Sequence, residues 1–188
     1  MILFLFLISI SPLSDSLFSR LEKIDYYSST YEETILDTLT ETIHTFRGNI
    51  YLARPYYFRM DISYPEDQLL ICDGEYLWLY LPEDSTVYQI PLDDPNADIP
   101  RPDKFIFGSK DEYREINILR SDSGAVFSFS PITENKFFDK VDISVSLPDF
   151  SINYLRIFSN DYGERTIRFF KNTESYEVLP ESLFEFNY

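Results

Sequence analysis

One arginine lies within a run of apolar residues that has the two-residue period of a β-strand. Between Ile50 and Ile62, every even-numbered residue except Arg54 is apolar or aromatic. Side chains two residues apart share one face of a strand, so the pattern puts a guanidinium on an apolar face. A sheet that only encloses a core has no need of a charge there. The pattern favours a sheet that lines an apolar cavity with Arg54 inside it. The alternative is an interior salt bridge between Arg54 and one of the many carboxylates.

The residue types needed for common catalytic and metal sites are scarce. His44 is the only histidine and Cys72 the only cysteine, and the chain has no G-x-S-x-G, H-E-x-x-H, C-x-x-C or Gly-rich phosphate motif. Adjacent acids such as Glu32 and Glu33 point to opposite faces of a strand, which does not suit paired acid–base catalysis. We therefore expect a binding protein and not an enzyme, with no cofactor and no metal.

The net charge of the chain argues against one large class of partner. The sequence has 32 Asp and Glu against 16 scattered Lys and Arg, and its formal charge is -16 at pH 7. A chain of this charge repels phosphate groups unless it has a local basic patch. We expect no nucleic-acid partner. The acidity indicates a solvated outer face or, alternatively, docking to a basic partner.

The first 16 residues have the features of an export signal. Residues Ile2 to Ile10 form an apolar run too short to span a bilayer, and Pro12 and small residues follow. The alternative is a buried N-terminal helix or strand. The predicted organisation is a signal peptide, residues 1–16, followed by a single domain, residues 17–188.

The rest of the chain predicts many strands and few helices. A short amphipathic helix is expected from Ser16 to Ile24, and from Tyr26 onward apolar and polar residues alternate between turn residues. The insertion from Asp93 to Glu112 is Pro-rich at its start and then allows one short helix at about Asp103 to Phe107. Such an insertion between strands is a candidate lid. We expect a mainly β fold of the α+β class, with a single curved antiparallel sheet whose apolar concave face is covered by a helical lid.

Four motifs in a fixed order carry a resemblance to a known family. They are Tyr51-Leu52-Ala53-Arg54-Pro55, Phe58-Arg59-Met60, the segment P-E-D-Q-L-L-I-C-D-G from Pro65 to Gly74, and Leu77-Trp78-Leu79-Tyr80. In this order and spacing, the chain resembles the LolA family of periplasmic carriers of outer-membrane lipoproteins. The resemblance covers nearly all of residues 17–188. It implies an unclosed half-barrel of about eleven strands whose concave face holds the acyl chains of a lipoprotein.

The resemblance also assigns roles to residues. Arg54 matches the family's arginine that hydrogen-bonds the lid helices when the cavity is empty, and Phe58 matches a phenylalanine at the cavity mouth. The expected residues of the cargo site or its mouth are Ile50, Leu52, Phe58, Met60, Trp78, Tyr80, Phe127 and Phe129. The expected lid residues are Ile99, Phe105, Ile106 and Phe107. Ordinary core packing is the alternative for each aromatic residue, and only their arrangement on one concave surface favours a lipid site.

The resemblance further implies partners and a location. The cargo is acylated lipoproteins, and the partners are the inner-membrane ABC complex that releases lipoproteins and an outer-membrane receptor. We expect a monomer in the periplasm. Two alternatives stay open: a LolA-fold module that binds lipid or lipoprotein and has a sensing or regulatory role in the envelope, and a lid-free β-sandwich with a structural or adhesive role.

Overall fold

The computed structural model describes residues 11–37, 40–55, 57–92, 101–133, 138–160, 163–175 and 181–187. Residues 1–10 of the predicted signal peptide and the predicted lid residue Ile99 lie outside this part of the chain. The signal peptide therefore stays a prediction.

Two α-helices lie in the described residues, α1 from Pro12 to Leu21 and α2 from Pro102 to Phe107. Helix α1 begins at Pro12 and not at Ser16, because the Ser11 hydroxyl accepts a hydrogen bond from the Ser14 N–H at 3.2 Å and proline suits the first turn of a helix. Residues 11–16 of the predicted signal segment thus form the N-cap and start of α1. Neither helix is long and apolar enough to cross a membrane.

Eleven strands of the described chain form one antiparallel sheet. They are β1 (Tyr26–Asp37), β2 (Thr42–Ala53), β3 (Tyr57–Tyr64), β4 (Gln68–Cys72), β5 (Tyr76–Leu81), β6 (Thr86–Pro91), β7 (Tyr113–Arg120), β8 (Gly124–Pro131), β9 (Lys140–Ser146), β10 (Ile152–Ser159) and β11 (Gly163–Ser175). Their order in the sheet is β6-β5-β4-β3-β2-β1-β11-β10-β9-β8-β7. One wing runs from β1 to β6 and the other from β7 to β11, and pairing of β1 with β11 joins the wings.

The sheet is strongly curved, because residues from both wings contact helix α2. Arg54, directly after β2, donates a hydrogen bond to the Phe107 carbonyl at 3.1 Å, and Tyr113 in β7 donates to the Lys104 carbonyl at 3.0 Å. In a flat sheet these two strands would lie about 29 Å apart, whereas a helix of this length is about 9 Å long. The strands β6 and β7 remain as unpaired edges. The prediction of an open, curved antiparallel sheet with a helical lid is confirmed.

Alternation along the strands gives the sheet two different apolar faces. The concave face holds the main core together with side chains of α1 and α2. The convex face holds a smaller cluster, which we call the outer cluster and which is centred on Tyr26, Ala53, Ile71 and Phe184. A short 3-10 helix, Glu181–Phe184, contributes to the outer cluster from outside the sheet. The sheet is therefore packed on both sides.

Candidate functional site

Arg54 uses all three nitrogens of its guanidinium to bind backbone carbonyls. Nε donates to the Ile24 carbonyl at 2.9 Å, and the terminal nitrogens donate to the carbonyls of Phe107 and Leu21 at 3.1 Å each. Leu21 is the last residue of α1 and Phe107 the last residue of α2. Carbonyls at a helix C-terminus lack intrahelical donors and carry the negative end of the helix dipole, so a cation suits them. One side chain thus fixes the ends of both helices against the end of β2.

Two further contacts hold Arg54 in this position. Its guanidinium carbon lies 4.8 Å from the centroid of the Phe107 ring, and its backbone N–H donates to the Asp25 carbonyl at 3.0 Å. The ion pairs found within the described residues do not include Arg54. The structure therefore has a hydrogen-bonded cation beside the apolar face, and not the interior salt bridge that was the alternative.

Most of the predicted cargo residues lie together on the concave face. Those in the main buried cluster, each at most 3% exposed, are Ile50, Leu52, Phe58, Met60, Phe127 and Phe129. The lid residues Phe105, Ile106 and Phe107 are buried in the same cluster. These six residues thus form one surface, and in this structure the side chains of the lid cover it.

The predicted placement was wrong for Trp78 and Tyr80, whose side chains lie on the convex face. Trp78 stacks on Phe186 with ring centroids 5.1 Å apart and 8° between the planes, and the Tyr80 ring lies 6.2 Å from the same ring. Strand β5 is apolar at every position, so its sequence gives no sign of which side faces inward. Pairing with β4 places Leu77 opposite Cys72 and turns Leu77 toward the concave core.

Helix α1 is a second part of the lid. The Phe18 ring lies 5.3 Å from Phe129 and 6.0 Å from Tyr113, between centroids, and Leu17 and Leu21 are at most 1% exposed. The helical spacing of the apolar residues predicted a buried stripe on this helix. It did not predict that the stripe packs on the concave face beside α2. The spacing identifies the buried face of the helix but not the element that the face packs against.

Helix α2 also contacts the wing opposite Arg54. The Phe105 ring packs edge-on against Phe138 with centroids 4.9 Å apart, and the Tyr113 hydroxyl bonds the Lys104 carbonyl. A cavity of about 620 Å³ lies beside α2. Its lining includes Pro55, Gly74 and Leu92 from one wing and Tyr113, Pro131 and Phe138 from the other wing and its loops. Among the residues that the structure describes, the lid thus leaves a cavity between the wings.

Asp73 fixes the turn between β4 and β5. Its Oδ1 accepts hydrogen bonds from the backbone N–H groups of Glu75 at 2.9 Å and Tyr76 at 2.7 Å, and its Oδ2 accepts from the Trp78 indole N–H at 2.7 Å. Partial burial by itself raises the pKa of the Asp73 carboxyl, but these hydrogen bonds outweigh it and hold the pKa below its ordinary value. The D-G turn and the tryptophan after it therefore act as one unit.

The part of the chain described by the structure contains no group of three or more His, Cys, Asp and Glu side chains placed to hold a metal ion. Cys72, the only cysteine of the sequence, is fully buried in the concave core.

Comparison with known proteins gives matches over a third of the chain and matches over most of it. The family model described as "Outer membrane lipoprotein carrier protein LolA" matches residues 22–187. An outer-membrane lipoprotein carrier protein from Haemophilus ducreyi is 40% identical over 63 residues, which are 34% of this chain and 30% of that protein. A protein with the same name from Nitrosospira multiformis is 25% identical over 178 residues, which are 92% of this chain and 83% of that protein. The matches at higher identity thus span only about a third of the relatives' length.

A solved structure agrees with the fold. The crystal structure of a LolA superfamily protein from Nitrosomonas europaea superposes with a TM-score of 0.50 at 11% identity, over 94% of this chain and 98% of that one. At this identity the likeness concerns the fold alone. The family model, in contrast, matches the sequence itself over residues 22–187, which is most of the chain. The chain therefore belongs to the LolA family of outer membrane lipoprotein carrier proteins.

Proposed function

We propose that this protein is a carrier that shelters the acyl chains of lipoproteins on its concave face and moves them through the periplasm. It receives cargo from the inner-membrane lipoprotein-releasing ABC complex and passes it to an outer-membrane receptor. It works as a monomer and performs no covalent chemistry. Membership of the LolA family supports the class of cargo. The observation that carries the proposal is that Arg54 donates hydrogen bonds to the last carbonyls of both helices that cover the apolar face.

The apolar face suits acyl chains because of what their transfer from water requires. Burial of one methylene group contributes about 0.8 kcal/mol, so a lipoprotein with several long chains needs a large apolar surface to leave a membrane. The concave face offers such a surface once the side chains of Phe105, Ile106 and Phe107 move aside. Cargo and lid therefore compete for the same residues.

This competition also provides for release. When the lid opens, Arg54 gives up three hydrogen bonds to carbonyls, and hydrogen bonds to charged groups contribute roughly 1.5 to 3 kcal/mol each. Cargo binding is weakened by the free energy that the closed lid would regain. The closed state thus favours the transfer of cargo to the next protein.

Arg54→Leu tests this gate. The variant removes the three hydrogen bonds that Arg54 donates in the closed state. We therefore expect cargo to dissociate roughly tenfold more slowly while the fold is retained. The measurement is transfer of a fluorescent diacylated peptide from the protein to acceptor vesicles. Arg47→Leu is the matched control, since Arg47 is half exposed on the convex face and pairs with Glu32. Transfer from Arg54→Leu at the rate of the unmodified protein would contradict the gate.

The class of cargo is tested by mass spectrometry of the protein purified from its native envelope. We expect acylated lipoproteins to copurify, in larger amount with Arg54→Leu than with Arg47→Leu. Recovery of free lipid alone, or of a signalling protein without acyl chains, would replace the carrier function by the sensing or regulatory one.

A further inference from the structure

An ion pair is buried at the start of lid helix α2. Arg101 Nε lies 3.2 Å from Asp103 Oδ1, and an Arg101 terminal nitrogen lies 2.6 Å from Asp103 Oδ2, so the guanidinium grips both carboxylate oxygens. The side chain of Asp103 is 2% exposed and that of Arg101 14% exposed. Asp103 is the least exposed carboxylate of the described ion pairs, and it lies in the first turn of α2.

The pair lies over the apolar floor at the cavity mouth. The Arg101 guanidinium carbon is 5.9 Å from the centroid of the Phe58 ring. Phe58 pairs across the sheet with Cys72, and both are fully buried in the concave core. Arg101 and Asp103 also line the cavity beside α2. Closure of α2 therefore brings two charges out of water and onto an apolar surface.

Burial of such a pair is costly even when the geometry is good. The loss of hydration of two charges commonly exceeds their mutual attraction, so apolar side chains of similar volume often stabilise the same site better. Burial raises the pKa of the Asp103 carboxyl although Arg101 and Lys104 oppose this effect, which agrees with an unfavourable surrounding for its charge. The cost applies to the closed lid alone, because an open lid returns both groups to water.

We propose that the Arg101–Asp103 pair positions α2 over Phe58 and at the same time lowers the stability of the closed lid. The lid then opens spontaneously, without cargo, more often than it would with apolar side chains at these two positions. This inference rests on the lid role given to α2 in the proposed function. It adds a second polar group to the lid, one that opposes closure where Arg54 favours it.

The single cysteine of the chain reports lid opening without any cargo. Cys72 is fully buried under this part of the lid, so a thiol reagent reaches it only in an opened state. Burial also raises the pKa of the thiol, which lowers its reactivity in the closed state. With a reagent at low concentration, the labelling rate divided by the rate for the unfolded chain gives the population of the open state. The dependence of this population on low urea concentrations separates local opening, which has a shallow slope, from global unfolding, which has a steep one.

The double variant Arg101→Met/Asp103→Leu replaces the pair by apolar side chains that still cover Phe58. We expect Cys72 to be labelled at least roughly fivefold more slowly in this variant than in the unmodified protein. In the unmodified protein, we expect the labelling rate to depend only weakly on urea concentration. Asp103→Asn removes the charged carboxylate that Arg101 contacts through two nitrogens, and we expect faster labelling. The matched control is Arg59→Met/Asp61→Leu, because Arg59 and Asp61 have the same spacing and a 2.7 Å Nε to Oδ1 contact on the convex face. This control should leave the labelling rate within twofold of the unmodified protein.

Two outcomes would overturn the inference. One is labelling of the apolar double variant at an equal or higher rate, which would show that the pair favours closure. The other is a urea slope equal to that of global unfolding in the unmodified protein, which would show that the lid does not open on its own. If the predicted order of labelling rates holds but no acylated peptide binds, the lid inference stands and the carrier proposal fails.

Discussion

Two side chains, Arg54 and Asp73, organise backbone groups that the regular elements leave unpaired. Arg54 donates to the last carbonyls of α1 and α2 and to a third carbonyl in the segment that follows α1, and Asp73 accepts from two backbone N–H groups and the Trp78 indole. Each side chain lies just beyond the end of a strand, where the ladder of hydrogen bonds stops. At the scale of the residue, the candidate site therefore depends on hydrogen bonds to backbone groups as much as on apolar surface.

The turn held by Asp73 predicts a defined response to acid. Because the folded-state pKa of Asp73 is below its ordinary value of 3.8, the ionised carboxyl stabilises the fold above that value, and this contribution is lost as the pH falls through the folded-state pKa. Asp73→Asn removes the charge. We expect the difference in free energy of unfolding between the unmodified protein and the variant to shrink between about pH 6 and about pH 3.

Urea unfolding followed by the fluorescence of Trp78, the only tryptophan, measures this difference. The control is Asp84→Asn, the same substitution at an exposed residue of the turn between β5 and β6. An Asp73→Asn difference that is the same at both pH values would exclude a stabilising charge at this turn.

Strand β2 shows how one element serves both faces of the sheet. Ile50 and Leu52 point into the concave core, and Tyr51 and Ala53 belong to or border the outer cluster. In the middle of β2, Gly48 lies where the register with β3 shifts, and a Cβ on Gly48 would stand 1.9 Å from the Asp61 carbonyl oxygen. The two strands approach so closely there that only glycine fits.

Gly48→Ala is accordingly expected to destabilise the protein. The clashing atom belongs to the backbone of β3 and cannot rotate away, so the strands must separate, at a cost of about 1 to 3 kcal/mol in the free energy of unfolding. Urea or thermal unfolding measures the loss. Asn49→Ala, an exposed change at the next residue of the same strand, should alter stability by less than about 0.5 kcal/mol. Equal stability of the two variants would show that the strand pair accommodates the methyl group.

The whole molecule is a sheet with two apolar sides that have different covers. The concave side is covered by α1 and α2, which polar contacts of Arg54 hold in place, and the convex side by the segment around the 3-10 helix Glu181–Phe184. On the convex side, the rings of Tyr57 and Phe184 lie 5.6 Å apart, and Arg59 donates to the Leu183 carbonyl at 3.3 Å. A carrier of this design can open one side while the other side keeps the sheet together.

This separation of roles predicts that the outer cluster affects stability and not cargo binding. Phe184→Ala removes a ring that is 2% exposed, and we expect it to lower the free energy of unfolding by about 1 to 3 kcal/mol, less than a central core deletion because the segment can undock locally. The affinity of the folded protein for an acylated peptide should stay unchanged. Urea unfolding and fluorescence titration measure the two quantities, with Phe127→Ala on the concave face as the counterpart that lowers both. A loss of acyl affinity in folded Phe184→Ala would show that the two faces are coupled.

The sequence alone determined the local features of this protein. The even-numbered apolar residues around Arg54 predicted the inward face of β2 and β3, because the side-chain period of a strand is fixed at two. Turn residues such as Asp73 and Gly74 predicted the breaks between strands, and the apolar spacing after Ser16 predicted a helix with one buried stripe. Each of these features depends on residues that are close together in the chain.

Only the tertiary structure decided which surfaces meet. Strand β5 is apolar on both sides, so Trp78 and Tyr80 could be assigned to a face only once Phe186, more than a hundred positions later, was seen to cover them. The role of α1 as a lid and the burial of the Arg101–Asp103 pair depend in the same way on distant segments. The periodicity of apolar residues fixes the direction of each side chain relative to its own helix or strand. Burial depends on a second element that packs against that side chain, and only the tertiary structure brings the two elements into contact.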